Sequence, residues 1–531
     1  MKHKLLTVDC NRATQPNRRD PGIGVGTTAA SFDSAILHRR RRACTSFVAS
    51  LFLAFHLLLP SAVHATRAEP ATAAIVAQVD SGQFRIAEAA IAASLARTDL
   101  DATTRRSLEF QRERMRRILL DFTLDADAVK ARVRQDIPDL RDDEFATWDA
   151  HGLFERQVID GRVLYFKRSP SNLFRLSAAA RARRAVDTPF KDGPMESANA
   201  HHREVIEAVR ASGSSSVAPR RLQVTQSLTV EADAVPAGEG VRAWIPYPRA
   251  LTGQQERIRF IASEPAKQVI APESALQRTV HLEKPAEAGK PTVFSITYEL
   301  TIHARRQPVD PVKVRPATIT AELAPFVAEQ APHIVFNEAI RLFSRQLVGN
   351  EKDPWRIAQN LYAAVDQVPW AGAREYSTIG NISDYALHAG HADCGQQTLL
   401  LMTLLRLNGI PARWQSGMVW SDGDYSNLHD WGQLWIEPYG WIPMDVTTGR
   451  LDSADTDIAG FYLGGIDAYR IAFNDDIGGD FMPPKTHFRS DTVDSQRGEV
   501  EWRGGNLYFD QWDYGFEWKV LPRSGEAAAS E

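Results

Sequence analysis

The sequence is poor in cysteine, with three in 531 residues. Cys10 and Cys44 lie before or inside a predicted export signal, so we expect the mature chain to retain Cys394 alone. A single cysteine cannot form an internal disulfide, which excludes the disulfide-stapled class of exported proteins. Cys394 is therefore either a small buried apolar residue or a working nucleophile.

A large excess of charge of one sign is also missing, because the formal net charge is −4. This balance indicates no general affinity for nucleic acid or for an anionic membrane surface. Long apolar runs are scarce as well. Residues 43–59 are mostly apolar, but a membrane-spanning helix needs about 20 such residues. We find no other stretch in the sequence that is apolar enough to span a membrane, and no internal repeat.

The apolar run at 43–59 completes the pattern of a secretory signal. The basic block Arg39–Arg42 precedes it, and Val63-His64-Ala65 follows with small residues where a signal peptidase cleaves. We expect cleavage near Ala65, export to the periplasm or the extracellular space, and no stable membrane insertion afterwards. A retained membrane anchor is the alternative.

The period of the apolar residues changes along the chain and indicates several domains. Near-helical spacing from Ala71 to Leu119 predicts helices, and two alternating strands that flank Asp160-Gly161 predict a β-hairpin. The hairpin either packs on the helices, which we favour, or forms a small winged-helix-like unit. A serine-rich stretch, 212–216, indicates a linker, and a period of two from Gln223 predicts a β-sandwich.

Cys394 opens a long apolar segment that is typical of a centrally buried helix. Apolar residues follow nearly continuously to Leu407, Asn408-Gly409 ends the helix, and Pro411 prevents its resumption. The N-terminus of a helix offers N–H groups and the positive end of the dipole, which favour a thiolate and could stabilise an oxyanion. An inert core cysteine would more naturally lie in the middle of a helix.

A cysteine nucleophile needs a base, and the base needs a group that orients it. His429 lies just before a predicted buried strand that begins at Trp431. Asp445 ends the next predicted strand, after a Tyr439-Gly440 turn. We expect the two strands to pair as an antiparallel hairpin, which would bring Asp445 beside His429 on one face. Helix and hairpin together would then form a Cys-His-Asp triad.

Four motifs in order over about 355–450 resemble the transglutaminase-like superfamily. They are Cys394 at a helix start, Asn408-Gly409-Ile410-Pro411-Ala412-Arg413, His429-x-Trp431 and Gly440-Trp441-x-Pro443-x-Asp445. The resemblance implies a papain-like core, in which a central helix packs against an antiparallel sheet. It also implies that Cys394 is the nucleophile, His429 the general base and then acid, and Asp445 the orienting group.

The predicted fold class is therefore α+β and multidomain, with a papain-like transglutaminase core preceded by a β-sandwich and a mainly helical region. The predicted segments are an N-terminal extension with the signal peptide (1–65), a mainly helical domain with a β-hairpin (66–211), a linker (212–220), a β-sandwich domain (221–310), a transglutaminase-like catalytic domain (311–455), a β-rich C-terminal extension (456–523) and a disordered tail (524–531).

The chain departs from the family pattern at two positions. Gln433 stands where the family often has an acid, and Asp430 follows the histidine where a small residue is common. Some members of the family place a tryptophan upstream of the cysteine to donate a hydrogen bond to the oxyanion. Trp370 and Tyr376 are the two candidates for this role here, and the sequence does not choose between them.

Two further tryptophans, Trp414 and Trp431, are candidates for lining a substrate groove, because aromatic walls suit peptide or sugar chains. No metal and no organic cofactor is expected. Asn474-Asp475-Asp476 and Asp480 lack a regular calcium-binding pattern and suggest a solvated loop. His388 and His391 could join Cys394 on zinc, but only three ligands would be at hand.

The sequence thus predicts an exported cysteine enzyme that acts on amide bonds of a protein or peptide substrate through a Cys394 thioester. Hydrolysis by water, as in a peptidase or amidase, is favoured over transfer to a lysine amine, which would make a cross-linking enzyme. A hypothesis from another class is a non-catalytic binding or assembly protein that uses the papain-like core as a scaffold. The oligomeric state is open.

Overall fold

A computed structural model describes residues 65–185 and 197–522. The predicted signal peptide and the predicted disordered tail lie outside these described residues, apart from Ala65. Within the two described ranges, no helix combines the length and the apolar character needed to cross a bilayer.

Helices around one β-hairpin make up the N-terminal region. In chain order these elements are α1 (Ala65–Asp80), α2 (Phe84–Leu95), α3 (Ala102–Asp121), α4 (Ala126–Asp136), α5 (Asp142–Ala150), β1 (Arg156–Ile159), β2 (Arg162–Tyr165), α6 (Ser169–Leu176), α7 (Ala178–Ala182) and α8 (Ala200–Ser212). The β1–β2 turn places Asp160 and Gly161 at φ of 48° and 84°, which an Asp-Gly pair tolerates. Ile159 and Leu164 of the hairpin share an apolar core with α1, α2 and α3.

The next region contributes six strands to two sheets that pack face to face. These strands are β3 (Ser216–Val230), β4 (Gly240–Pro246), β5 (Gln255–Glu264), β6 (Gln268–Ile270), β7 (Thr279–Pro285) and β8 (Thr292–Arg306). Alternate residues of β3, such as Leu222, Val224 and Leu228, are buried and meet Val241 of β4 and Leu282 of β7 in one core. The period of two in the sequence therefore corresponds to one face of a sandwich.

The segment that follows builds a helical layer on a four-stranded antiparallel sheet. Its elements are α9 (Glu338–Val348), α10 (Pro354–Asp366), α11 (Ile382–His388), α12 (Cys394–Leu407), β9 (Ala412–Trp420), β10 (Ser426–Ile436), β11 (Gly440–Met444), α13 (Thr456–Ala459), β12 (Gly465–Ile466) and β13 (Arg470–Asn474). The order of strands in this sheet is β11-β10-β9-β13. Helix α12 is central, since every residue from Cys394 to Arg406 is buried. The α+β, multidomain fold class is confirmed.

The last strands do not form the separate C-terminal extension that the sequence suggested. They are β14 (Glu499–Trp502), β15 (Gly505–Leu507) and β16 (Trp512–Leu521). One sandwich sheet has the order β12-β8-β3-β16 with β5 on β8, and the other has the order β15-β14-β4-β7-β6. Strand β13 completes the sheet under α12. Periodicity identified strands here, but β14 and β16 pair with β4 and β3, which lie hundreds of residues earlier, and such pairing leaves no local pattern.

The predicted linker is also largely ordered strand. Helix α8 ends at Ser212 and β3 begins at Ser216, so three residues separate the two elements. Gly213 takes φ of 69° at the end of the helix, which suits a glycine C-cap. Small polar residues occur both in linkers and at the ends of strands. Here the segment from Ser216 onward is a strand because β3 pairs with β8.

Gly417 of β9 provides a test of the β9–β13 pairing. A Cβ atom at this position would lie 1.9 Å from the carbonyl oxygen of Ile471 on β13, so backbone would have to move. We expect Gly417→Ala to lower the free energy of unfolding by about 1–3 kcal/mol, as overpacking does. The measurement is the midpoint of denaturant-induced unfolding.

Gly505→Ala on β15 is the matched control, since a Cβ there would meet no atom within 4 Å. Its midpoint should stay within the change that a harmless surface substitution causes, about 0.5 kcal/mol. Equal midpoints for the two variants would contradict the close approach of β13 to β9.

Candidate active site

A capping box fixes the position of Cys394 at the first turn of α12. The Asp393 carboxylate accepts a hydrogen bond from the Gln396 amide at 3.0 Å, and the Gln396 side chain accepts one from the Asp393 amide at 3.2 Å. Cys394 is 7% exposed. Its sulfur therefore lies at the positive end of a buried helix, where the dipole and the first N–H groups favour a thiolate.

The hairpin of β10 and β11 brings His429 and Asp445 together. Nε2 of His429 lies 2.8 Å from Oδ2 of Asp445. Gly432 pairs with Met444 in this hairpin, so Asp445 follows the last paired residue on the side of His429. Cys394 is close enough to this imidazole to contribute to its pKa through its charge and a hydrogen bond. Because Nε2 faces Asp445, Nδ1 is the nitrogen left for the sulfur.

The charges around His429 favour the protonated form of its imidazole. Burial alone would lower the pKa of His429, but the charge and hydrogen bond of Asp445, with a smaller contribution from Cys394, raise it to about 9. Burial would raise the pKa of Asp445, yet the positive charges of His429 and Arg470 hold it well below its usual range. A thiolate beside this imidazolium would be stabilised by direct attraction.

Sequence reasoning missed the groups that hold Asp445. Arg470 Nη2 lies 2.7 Å from Asp445 Oδ2, and the Thr448 hydroxyl donates to the same oxygen at 2.8 Å. The amides of Thr447 and Thr448 donate to Oδ1 at 3.1 and 3.0 Å. Arg470 also forms an ion pair with Asp467. An arginine that opens an apolar strand, Ile471-Ala472-Phe473, is the sequence signal that could have revealed this contact.

A cavity of about 180 Å³ opens beside Cys394 and is lined by several separate parts of the chain. The core domain contributes the loop from Trp370 to Tyr376 and part of β10. The N-terminal region contributes Arg168, and the long connection between β13 and β14 contributes Gln496 and Arg497. The path from the sulfur to solvent is thus shaped partly by residues far from the triad in sequence.

One family model matches the part of the chain that carries this site. Residues 341–446 match the family model described as Transglutaminase-like superfamily. The chain contains a transglutaminase-like domain. This match confirms the resemblance found in the sequence, and it covers α12 and the strands that carry His429 and Asp445.

Comparisons with whole proteins add little to that match. No curated protein matches the chain. A proposed cysteine protease of Cytophaga hutchinsonii shares 13% identity at a TM-score of 0.40, over 58% of this chain and 93% of that one. The periplasmic domain of TgpA from Pseudomonas aeruginosa shares 14% identity at a TM-score of 0.24, over 46% of this chain and 91% of that one.

The two oxyanion candidates of the transglutaminase-like domain differ in their hydrogen bonds. Both Trp370 and Tyr376 line the cavity with Cys394. The Tyr376 hydroxyl donates to Asp393 Oδ1 at 2.9 Å and lies 3.3 Å from Asp430 Oδ2. Trp370 Nε1 is buried, and no described residue accepts a hydrogen bond from it. A buried N–H without an acceptor is costly, so this donor is suited to a substrate oxygen.

The N-terminal region braces the loop that carries Trp370. Asn172 of α6 exchanges two hydrogen bonds with the backbone of Gly372, at 2.9 and 3.0 Å. The guanidinium of Arg175 lies 4.5 Å from the centroid of the Trp370 ring. The Asp121 carboxylate accepts a hydrogen bond from the Glu375 amide at 2.9 Å. One wall of the cavity therefore depends on helices outside the transglutaminase-like domain.

The two groove candidates, Trp414 and Trp431, do not line the cavity. They are 1% and 0% exposed, and their indole N–H groups donate to Ser416 Oγ at 3.0 Å and to Gln415 Oε1 at 2.9 Å. Both side chains point from the sheet into the interior, so aromatic character alone was a misleading signal. Trp431 instead stacks on His429, with ring centroids 6.1 Å apart.

The acidic stretch after β13 is also more structural than the sequence suggested. Asn474 is fully buried and donates to Ser416 Oγ at 3.0 Å. Asp475 pairs with Arg249 at 2.9 Å. Among the residues described, no three His, Cys, Asp or Glu side chains are placed to hold a metal ion. His388 and His391 each contact a backbone carbonyl, of Asp384 and Ala389.

The His429–Asp445 contact predicts a measurable titration. In Asp445→Asn the largest influence that raises the His429 pKa is gone, so we expect the value to fall from about 9 to below the ordinary 6.5 or so, because burial then dominates. The measurement is a pH titration of the His429 ring signal by NMR. Asp452→Asn, an exposed carboxylate in the loop beyond the site, is the control and should leave the pKa unchanged.

The same shift has a consequence for stability. A folded-state pKa above the unfolded value stabilises the protein below about pH 6.5, and this contribution is lost as pH rises through about 9. Asp445→Asn should remove this part of the pH dependence of unfolding. A His429 pKa near 9 in that variant would contradict the assignment of Asp445 as its partner.

Proposed function

We propose that the protein is an exported cysteine amidase or peptidase that cleaves amide bonds of protein or peptide substrates through a Cys394 thioester. One observation carries the proposal: Cys394 opens the buried helix α12, and the imidazole of His429, whose pKa Asp445 raises, is hydrogen-bonded to Asp445 at 2.8 Å. This is the arrangement that a thiolate–imidazolium nucleophile requires.

In the proposed reaction the Cys394 sulfur attacks the carbonyl carbon of the amide, and a carbon–sulfur bond forms. The carbonyl oxygen becomes an oxyanion, to which Trp370 Nε1–H and the amides that open α12 can donate. His429 then gives its proton to the leaving nitrogen as the carbon–nitrogen bond breaks. A water molecule, deprotonated by His429, attacks the thioester and releases the acid and the thiolate.

Two considerations support water as the acceptor. The cavity beside Cys394 has a volume of about 180 Å³, below the roughly 300–1,000 Å³ of pockets for drug-sized ligands. It suits one side chain or a short peptide segment together with water. Transfer to a lysine of a second protein needs a further approach to the same sulfur, and Gln496 and Arg497 occupy one side of the opening.

Export is part of the proposal and is supported by the basic and apolar pattern at 39–65, most of which lies outside the described residues. We place the enzyme in the periplasm or outside the cell, with a protein or peptide as its partner and no stable membrane insertion after cleavage.

A binding or assembly protein remains the second hypothesis. It would tolerate a cysteine out of reach of its base, whereas the influence of Cys394 on the His429 pKa favours the enzyme.

The decisive assay mixes the mature protein with a glutamine peptide and a labelled amine. We expect the acid as the main product, with little labelled adduct. Cys394→Ala should lower the rate by about 10⁴-fold or more, because loss of a nucleophile removes the thioester route. Mass spectrometry of the peptide distinguishes the two products, and circular dichroism checks that the variant folds.

Asp452→Asn is the control for effects of substitution and purification that do not involve the site. It should cleave the peptide at the wild-type rate. Adduct as the main product would replace hydrolysis by cross-linking. Turnover by Cys394→Ala at the wild-type rate would reject the thioester mechanism altogether and favour an unrelated contaminant or site.

The choice between Trp370 and Tyr376 has its own test. Trp370→Phe keeps an aromatic ring for Arg175 but removes the indole N–H, so we expect kcat to fall by about 10²-fold with KM little changed. The oxyanion exists only in the transition state and intermediates, which is why KM is spared. Tyr376→Phe is the matched comparison and should cost less. The reverse ranking would assign the oxyanion to Tyr376.

A further inference from the structure

Asp430, one of the two residues at which the sequence departs from the family pattern, lies directly beside Cys394. The Cys394 sulfur is 3.2 Å from Asp430 Oδ2, and the Asp430 side chain is almost completely buried. An ionised carboxylate at this distance would oppose formation of a thiolate. A neutral carboxylic acid would instead donate a hydrogen bond to the sulfur.

The neighbours of Asp430 fix its orientation. Gln496 Nε2 donates to Asp430 Oδ1 at 2.6 Å and to the backbone carbonyl of His429 at 2.8 Å. The Tyr376 hydroxyl lies 3.3 Å from Asp430 Oδ2. Gly395 leaves room for this contact, since a Cβ there would lie 2.1 Å from the Tyr376 hydroxyl and 2.7 Å from Asp430 Oδ2. Gln496 and Tyr376 thus hold the carboxyl group in place against the sulfur.

A second buried acid, Asp494, faces Asp430 from the connection between β13 and β14. Asp494 is fully buried, and no group among the described residues donates a hydrogen bond of good geometry to either of its oxygens. Asp430 and the Ser416 hydroxyl are among the polar groups near it, with Arg489 and Arg497. Two adjacent carboxyl groups without solvent do not both ionise at neutral pH, so one of them keeps its proton while the other carries the charge.

The other ionisable groups around Asp430 do not change this conclusion. His429 precedes it on β10, and Asp393 and Cys394 face it from the start of α12. Burial raises the pKa of Asp430 well above its usual range, and the charges of Cys394, Asp494 and Asp393 add to that effect.

The same environment acts on the neighbouring acids. Burial raises the pKa of Asp494, although Arg489 and Arg497 partly oppose it. Asp491 lines the same cavity, and burial with the charge of Asp494 raises its pKa to about 7. Arg497 is engaged with Glu375 at 2.5 Å, and it is not a hydrogen-bonded partner of Asp430.

We propose that Asp430 is a fourth catalytic residue, which in its neutral form donates a hydrogen bond to the Cys394 thiolate, with Asp494 keeping the proton on Asp430. The proposal rests on the proposed function, because it assigns a role at the same sulfur. No proton is consumed: it stays on Asp430, while His429 gives its proton to the leaving nitrogen and takes one back from water.

The proposal predicts opposite effects for two neutral substitutions. Asp430→Asn cannot ionise and keeps a donor near the sulfur, so the thiolate should form at least as readily as in the wild-type protein. Asp494→Asn removes the charge that keeps the proton on Asp430. Asp430 then ionises at lower pH, and its charge raises the pKa of the thiol.

The experiment follows alkylation of Cys394 by iodoacetamide from pH 5 to pH 9 in the full mature protein, with intact-mass detection. At pH 7 we expect Asp494→Asn to react about tenfold more slowly than the wild-type protein, the effect of one unit in the thiol pKa. Asp430→Asn should react as fast or faster at every pH. Asp430→Ala, which lacks the donor, should be slower than Asp430→Asn. Asp452→Asn is the control for loss of an unrelated carboxylate.

An infrared spectrum provides a second readout of the proton. The wild-type protein at neutral pH should show the carbonyl stretch of a protonated carboxylic acid that disappears in Asp430→Asn. If Asp430→Asn fails to fold, Asp494→Asn decides alone: slowed alkylation supports the proposal and an unchanged rate overturns it. Slowing by the same factor in both Asn variants, without a change in the pH profile, would assign Asp430 to packing.

Failure of this inference can be told apart from failure of the proposed function. Alkylation does not require a substrate, so the predicted pattern can appear in a protein that cleaves no peptide. In that case only the proposed function fails. Peptide cleavage with unchanged alkylation in both Asn variants would reject the role of Asp430 alone.

Discussion

The buried ion pair between Asp445 and His429 is the contact around which the site is arranged. Asp445 has no exposure to solvent, so its charge survives only because Arg470, two backbone amides and the Thr448 hydroxyl surround it. Removing one partner of a buried pair typically costs about 3–5 kcal/mol, because a charge is left without compensation. This requirement explains why strand β13, which carries Arg470, belongs to the sheet beneath α12.

The site is built from several separate parts of the chain. His429 and Asp445 come from one hairpin, and Cys394 comes from the helix that packs on it. The wall with Trp370 is braced by Asn172 of the N-terminal region, and the opposite wall includes Gln496 from the long connection before β14. The helical region is therefore part of the architecture of the cavity, and not only a neighbour of the domain.

The groups on the two sides of the Cys394 sulfur have opposite electrostatic effects. On one side stands the imidazole of His429, whose pKa Asp445 raises, and an imidazolium there would favour a thiolate. On the other side stand Asp430 and Asp494, which would oppose a thiolate if both were ionised. Burial of these side chains strengthens both influences, because charges are screened less in the interior than in solvent. The protonation state of the two acids thus sets how strongly the imidazolium can act.

Local sequence determined the elements of the site: Cys394 at a helix start, His429 and Asp445 on neighbouring strands, and the sandwich from its period of two. Each depends on residues a few positions apart, which is the range over which helix caps and strand periods act. Only the tertiary structure decided that Arg470 and Asp494 belong to the site, that β13 to β16 complete earlier sheets, and that Trp414 and Trp431 face the interior. Those outcomes depend on pairing between distant segments and on which face of a strand is covered, and neither leaves a local pattern in the chain.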